Sequence, residues 1–213
     1  MKFGVFSDVH GNLAALRKVW GALNDLGLLD GRPVFNAGDS VGYGCEPEEC
    51  IAFLRDNTNV VSVRGNYDRN VAEFPNRSQD YKRKWGRSRP EKYAAIKTDS
   101  DLISDDARGW LRALPKEERL DLNGHRVVLC HYSPGSKEGL GSWTSAFELE
   151  EIAKTAEADV VVCGHTHTPF ARSAGGVLFV NPGTVGRSRW SKPSYAVLDL
   201  APGEPPRADI RSV

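Results

Sequence analysis

The 213-residue chain has no stretch approaching the roughly 20 apolar residues of a membrane span, and its first apolar run, Phe3 to Phe6, is far too short for a signal-peptide core. These absences argue against a membrane-spanning helix and a secretory leader, and predict a soluble, cytoplasmic protein. Net charge is missing as well, because 28 Lys and Arg balance 28 Asp and Glu. Without a broad positive field the chain has no general means of holding nucleic acid or an anionic membrane, so any affinity for phosphate must be local. Cysteine is scarce: four residues, with no paired framework. Cys130 and Cys163 end Val-rich runs and read as small core hydrophobes, while Cys45 and Cys50 lack the further ligands that a zinc site needs. Repeats and low-complexity segments are absent too. With 40% hydrophobic residues at this length, one core and a single domain over 1–213 are expected.

What is present is a series of short runs rich in Val, Phe and Leu, the size and composition of buried strands. They are Lys2 to Ser7, Pro33 to Ala37, Asn59 to Val63, Arg126 to Cys130, Asp159 to Cys163, Val177 to Val180, Tyr195 to Leu200 and Ala208 to Val213. Helical patterns lie between several of them. Leu13, Leu16, Trp20 and Leu23 recur at helix spacing, Pro47 begins a stretch containing Ile51 and Leu54, and Ala146 to Ala156 is amphipathic. Alternation of strands and helices predicts an α/β fold. The late strands are joined by Gly/Pro-rich turns without helices between them, which predicts an antiparallel second sheet from the tail. Residues 69–120 are highly charged, contain Trp85 and Trp110 and lack strand-like runs, so they predict a helical insertion over the core, either a lid or a surface helical pair.

Four of the five histidines sit in polar clusters at the ends of strand-like runs: Ser7-Asp8-Val9-His10-Gly11-Asn12, Cys130-His131, and Gly164-His165-Thr166-His167. Gly38-Asp39-Ser40 and Arg64-Gly65-Asn66-Tyr67-Asp68 end two further runs and supply oxygen ligands. In open α/β sheets the loops beyond the carboxyl ends of the strands converge on one crevice, so five loops can meet there. A mixed imidazole, carboxylate and amide set suits borderline divalent cations. Seven side chains serve two cations if one carboxylate bridges them, and Asp39 is the candidate bridge. Two cations about 3.5 to 4 Å apart can share a hydroxide that attacks phosphorus and can neutralise charge during in-line displacement. His125 falls outside the pattern; it follows Asn123-Gly124 at a turn and reads as a surface histidine.

The order Asp-x-His, Gly-Asp, Gly-Asn-x-Asp, a lone His and Gly-His-x-His resembles that of the calcineurin-like metallophosphoesterases through nearly the whole chain. The resemblance implies a four-layer αββα sandwich of two mixed sheets flanked by helices. It also implies one metal held by Asp8, His10, Asp39 and His167 and a second by Asp39, Asn66, His131 and His165. The segments 38–44 and 181–186 are similar to a bacterial branch of small phosphodiesterases and dinucleoside polyphosphate hydrolases. The expected catalytic residues are Asp39, Asn66, Asp68 and His165. The implied cofactors are two divalent ions, manganese foremost, with Fe, Zn, Ni or Co also compatible with these ligands.

Many phosphatases of this superfamily carry His after Gly-Asn, where it assists the leaving group; here that position is Tyr67. A tyrosine with a pKa of about 10 is a weaker acid than an imidazolium at neutral pH, so diesters and anhydrides with good leaving groups are the expected substrates. Asp68 would then orient neighbouring ligands. Arg64, Arg187 and Arg189 have the chemistry for bidentate contacts to substrate phosphate. Asn12 is close enough to the crevice to meet substrate, although it also suits capping the helix that begins at Leu13. Tyr43 and Trp190 read as packing aromatics with the reach to stack on a nucleobase. The expected activity is hydrolysis of a small phosphodiester or nucleotide by a metal-bridging hydroxide. A phosphomonoesterase and a non-catalytic interaction scaffold are the alternatives, and a homo-oligomer is compatible with each.

Overall fold

The computed structural model describes residues 1–187 and 192–213, so Arg189 and Trp190 lie outside the described residues. The chain runs β1 (Lys2–Phe6), α1 (Leu13–Asp25), β2 (Val34–Asn36), α2 (Pro47–Asp56), β3 (Val60–Ser62), α3 (Asn66–Trp85), α4 (Pro90–Leu102), α5 (Asp105–Ala113), β4 (Glu117–Leu122), β5 (His125–Cys130), α6 (Ala146–Ala156), β6 (Val160–Val162), β7 (Phe170–Ala174), β8 (Val177–Asn181), β9 (Ser194–Asp199) and β10 (Arg207–Ser212). The strands form two five-stranded sheets, ordered β10-β9-β1-β2-β3 and β4-β5-β6-β8-β7. Each is mixed. β1, β2 and β3 run parallel in the first sheet, with antiparallel β9 and β10 beyond β1, and β5, β6 and β8 run parallel in the second, with antiparallel β4 and β7 at its two edges.

Strand alternation builds the layers. Phe3 and Val5 of β1 and Phe35 of β2 meet Val127, Val160 and Val180 of the second sheet in the core between the sheets. Phe6 and Val34 face the other way, onto Leu16, Val19 and Leu23 of α1. Gly4 shares that outer face because a Cβ there would lie 2.8 Å from Leu23 Cδ2, so glycine is what lets α1 seat against β1. On the far side Val128, Val161 and Phe179 pack against Leu149 and Ala156 of α6. The result is the αββα order. Local signals start the helices: Asn12 Oδ1 accepts from Ala15 N at 3.0 Å to cap α1, and Ser145 and Glu148 form a capping box for α6.

Helices α3 to α5 make a core of their own, in which Val71, Phe74, Trp85, Ile96 and Leu111 surround Ile51 of α2. This helical segment begins at Asn66 and stops at Ala113, not at 120. Glu117–Leu122 is an edge strand whose charged residues hid it in the sequence, since only Leu120 and Leu122 reach the core. Phe170–Ala174 is a second edge strand without a hydrophobic run to announce it. The tail does not make one antiparallel sheet. Val177–Asn181 joins the second sheet, whereas Ser194–Asp199 and Arg207–Ser212 cross over and extend the first, β9 pairing with β1 and β10 with β9. Gly/Pro-rich turns mark a connection but carry no information about which sheet receives the next strand.

His125 is also corrected: it is buried at the start of β5, with Nε2 donating to Ala201 O at 3.0 Å. Its role is to tie the β4–β5 hairpin to the end of β9. His125→Ala should therefore lower stability by about 1 kcal/mol and leave turnover unchanged, as read from denaturant midpoints beside an activity assay.

Candidate metal centre

Five loops carry the polar clusters to one edge of the sandwich, where the parallel strands β1, β2, β3, β5 and β6 all end. Backbone bonds knit the loops together: Asp8 N donates to Gly38 O (2.9 Å), His10 N to Asp39 O (3.0 Å), and Gly164 N to His131 O (3.2 Å). Asp8, His10, Asp39, His165 and His167 all hold positive φ, between 51° and 70°. Left-handed backbone costs a non-glycine residue on the order of 1 to 3 kcal/mol, and here it falls on five of the seven predicted ligands. Gly65 is fixed by close approach, because a Cβ there would lie 2.1 Å from Asp39 Oδ1.

The donors form two groups, Asp8 with His10 and His167, and Asp39 with His131 and His165, each with ligand atoms within 4.8 Å of one another. Asp8 Oδ1 lies 3.2 Å from His167 Nε2 and 3.7 Å from His10 Nε2; Asp39 Oδ2 lies 3.4 Å from His131 Nε2. Asn66 completes the second group's surroundings: it lines the same cavity as Asp39 and His165, and its Oδ1 accepts from Tyr132 Oη at 3.1 Å.

Orphaned polar atoms test whether these residues suit cations. Asp8 Oδ1 and His131 Nε2 are buried without hydrogen-bond partners, and His10 Nε2 faces His167 Nε2 at 3.0 Å. Two ring nitrogens and a bare carboxylate oxygen aimed at one point would be costly unless a cation lay between them. Their partners on the outer side fix the tautomers: His10 Nδ1 donates to Val41 O (3.2 Å) and His131 Nδ1 to Ala37 O (2.8 Å), which leaves each Nε2 free to ligate. Asp8 Oδ2 accepts from Ser7 Oγ at 2.7 Å and His165 N at 3.0 Å, so Oδ1 alone is turned inward. The donor set fits divalent metal.

Electrostatics agree with that use. Burial pushes the His10 imidazole down to about 4, and burial with the His131 charge lowers His165, so both are neutral donors at pH 7. Burial also opposes charge at Asp39, but the His131 imidazolium outweighs it and holds the carboxyl well below the usual carboxylate range. Reciprocally, His131 overcomes its burial through Asp39 and rises to about 9, so a metal ligated there displaces a proton.

Asp68 lies behind the centre. It is fully buried and its two oxygens accept from the backbone N–H groups of Asp39, Ser40, Val41 and Gly65 at 2.8 to 3.3 Å. It thus shapes the Asp39 loop from within the first turn of α3. Asn181 does the same for the histidine loop, donating Nδ2 to Gly164 O (2.8 Å) and Thr166 Oγ1 (3.0 Å). Thr184 Oγ1 donates to Asp8 O at 2.9 Å.

A cavity of about 610 Å³ opens over the donors, lined by Asp39, Asn66, His165, His167 and by Tyr43, Tyr67 and Arg187. Of the predicted substrate contacts, Tyr67 and Arg187 are here. Arg64 lines a different cavity and donates to Arg112 O at 3.1 Å, and Asn12 is not in the lining: its Nδ2 donates to Gly186 O (3.3 Å) and its Oδ1 caps α1. Tyr43 and Tyr67 join hydroxyl to hydroxyl, and the Arg187 guanidinium stacks 3.6 Å above the Tyr43 ring. Nothing in the sequence pointed to Lys92. It comes from α4, lines this cavity, and holds Nζ 4.8 Å from both the Tyr67 and Trp85 ring centres. Its distance along the chain from every polar cluster left nothing to read.

An αββα sandwich with paired imidazole–carboxylate groups at its strand ends defines a metallohydrolase. The model of the calcineurin-like phosphoesterase superfamily domain matches residues 1–203, and the chain belongs to that family. It is 32% identical over 212 residues to an uncharacterized protein of Methanocaldococcus jannaschii, covering 92% of this chain and 81% of that one. It is 26% identical over 207 residues to the phosphodiesterase YfcE of Escherichia coli K12, covering 93% and 88%. A hypothetical protein of Pyrococcus horikoshii has the same fold, with a TM-score of 0.86 at 20% identity over 100% of this chain and 87% of its own. Among the described residues no helix is long and apolar enough to cross a membrane.

Proposed function

We propose that the chain hydrolyses small phosphodiesters or phosphoanhydrides of nucleotide type with two divalent cations, manganese foremost. Asp8, His10 and His167 would hold one cation, His131, His165 and Asn66 the other, and Asp39 would bridge them. The pair, when bound, supplies Lewis-acid polarisation of the phosphoryl group and an activated water. The chain's own residues do the rest. Arg187 meets the phosphate, and Tyr43 and Tyr67 form the wall against which the remainder of the substrate packs.

The carrying observation is Tyr67 beside two converging donor groups. Burial and the hydrogen bond with Tyr43 push its phenol well above the ordinary tyrosine value, so it stays protonated and is a weak proton donor to a leaving group at neutral pH. Substrates whose leaving group departs unprotonated are favoured, which selects aryl or nucleotide diesters and anhydrides over alkyl monoesters. The family relative named a phosphodiesterase supports the same choice. The helical segment α3–α5, through Pro90 and Lys92, would bound the substrate on its outer side.

The experiment compares bis-p-nitrophenyl phosphate, p-nitrophenyl phosphate and diadenosine tetraphosphate with added Mn, beside an EDTA control. The expected result is metal-dependent turnover that favours the diester or the dinucleotide over the monoester by about tenfold or more. A preference for the monoester would replace this reading with a phosphomonoesterase; bound metal without turnover on any of the three would replace it with a scaffold.

A further inference from the structure

A second cavity, of about 570 Å³, lies on the other side of Asn66 from the one over the metal donors. Asn66 lines both, and Tyr132 stands between them, with Oη on Asn66 Oδ1 and its ring 4.5 Å from that of His165. Five cations line this second cavity: Arg64, Arg69, Lys84, Lys116 and Lys137. Glu117 is the single acid, and its Oε1 accepts from Arg119 Nε at 2.8 Å. None of the five is in an ion pair among the described residues. Arg64 donates to a carbonyl, Arg69 to an amide at 3.4 Å, and the Lys84 ammonium stands 5.1 Å from the Trp85 ring centre.

In a chain of zero net charge, five cations left without ion pairs around one hollow set up a local positive field that favours an anion there. The five come from separate stretches, at the start of α3 and its last turn, before β4, and in the loop after His131, so no single charged segment brings them together by accident of sequence. The hollow is of ligand size and open to solvent, with Arg69, Lys84, Lys116 and Lys137 exposed along it.

We propose that this cavity is a polyphosphate subsite, which takes the phosphate groups beyond the scissile one and makes the enzyme selective for nucleoside or dinucleoside polyphosphates. For catalysis the inference rests on the hydrolase reading; for binding it does not. The scissile phosphate sits at the paired donors beside Asn66, and the following phosphates pass Tyr132 into the basic hollow, where guanidinium and ammonium groups neutralise them. The balanced charge of the rest of the surface favours a short polyanion over an extended nucleic-acid path.

The test uses Lys116→Glu/Lys137→Glu, two exposed positions away from the donors, and the neutral pair Lys116→Gln/Lys137→Gln in case the first misfolds. Calorimetric titration of tripolyphosphate into the intact chain without added metal should weaken at least about tenfold in the Glu pair and less in the Gln pair, with orthophosphate scarcely affected. With Mn, kcat/KM for diadenosine tetraphosphate should fall about tenfold while that for bis-p-nitrophenyl phosphate holds. Unchanged tripolyphosphate affinity in both variants overturns the subsite, as does equal loss on both substrates. Weaker binding of a short RNA with tripolyphosphate unaffected also overturns it. Parent protein that binds tripolyphosphate in this manner but cleaves nothing sinks the hydrolase reading and upholds the subsite.

Discussion

Asp39→Ala is expected to leave a folded protein that has lost its second metal and about a thousandfold or more of kcat/KM, on the order of 4 kcal/mol of transition-state stabilisation. The size follows from how many tasks meet on one carboxylate. Asp39 Oδ2 faces His131 at 3.4 Å, its Oδ1 accepts from Tyr67 N at 2.7 Å, and it belongs to the donor group of His131 and His165 while its loop also receives His10 N. Without it, His131 loses the charge that raises its pKa, and the two donor groups lose the oxygen proposed to join them. Asp39→Asn separates charge from shape: the amide can still accept from Tyr67 N, so metal content should fall nearly as far while thermal stability changes less. Elemental analysis of dialysed protein together with diester turnover reads both. Parent-like turnover with two metals per chain in Asp39→Ala would remove Asp39 from the bridging position.

The same residues explain why the centre was more legible in the sequence than the fold around it. Asp8, His10, Asp39, His131, His165 and His167 are chemically unlike the apolar runs they follow, and a polar cluster directly after a buried strand has few structural uses. The left-handed backbone at five of these positions makes the same point energetically, since unfavourable local geometry is held there by the packed sheets beneath. Strands β4 and β7 were missed because edge strands need bury only part of one face, and β9–β10 were assigned to the wrong sheet because register and sheet membership are properties of the packed molecule. His125 was read as exposed from its turn neighbours, yet the partner that buries it, Ala201, is 76 residues away. Lys92 and the basic hollow share that character: their meaning arises only when α3, α4 and the loop after His131 are brought to the same side of the sandwich.

Asp68→Ala should be the most destabilising single change in the centre, by about 3 to 5 kcal/mol, with Tm lowered by roughly 10 °C. One fully buried side chain answers four backbone N–H groups, those of Asp39, Ser40, Val41 and Gly65, from the first turn of α3, although burial and the nearby Asp39 raise its pKa to about 7. Alanine leaves all four donors in a space closed by Gly65 and the Asp39 loop. Asparagine does not repair this, because its NH2 group would turn a donor toward donors. The loop that carries Asp39 would then lose its shape, and metal affinity should drop by about ten- to a hundredfold. A positioning role and a direct catalytic role differ in one readout. If Asp68 only holds the loop, excess Mn should restore most of kcat in Asp68→Ala, since binding to the native form draws the loop back into place. Turnover that stays near zero with both metals bound would mean that Asp68 takes part in the chemical step itself.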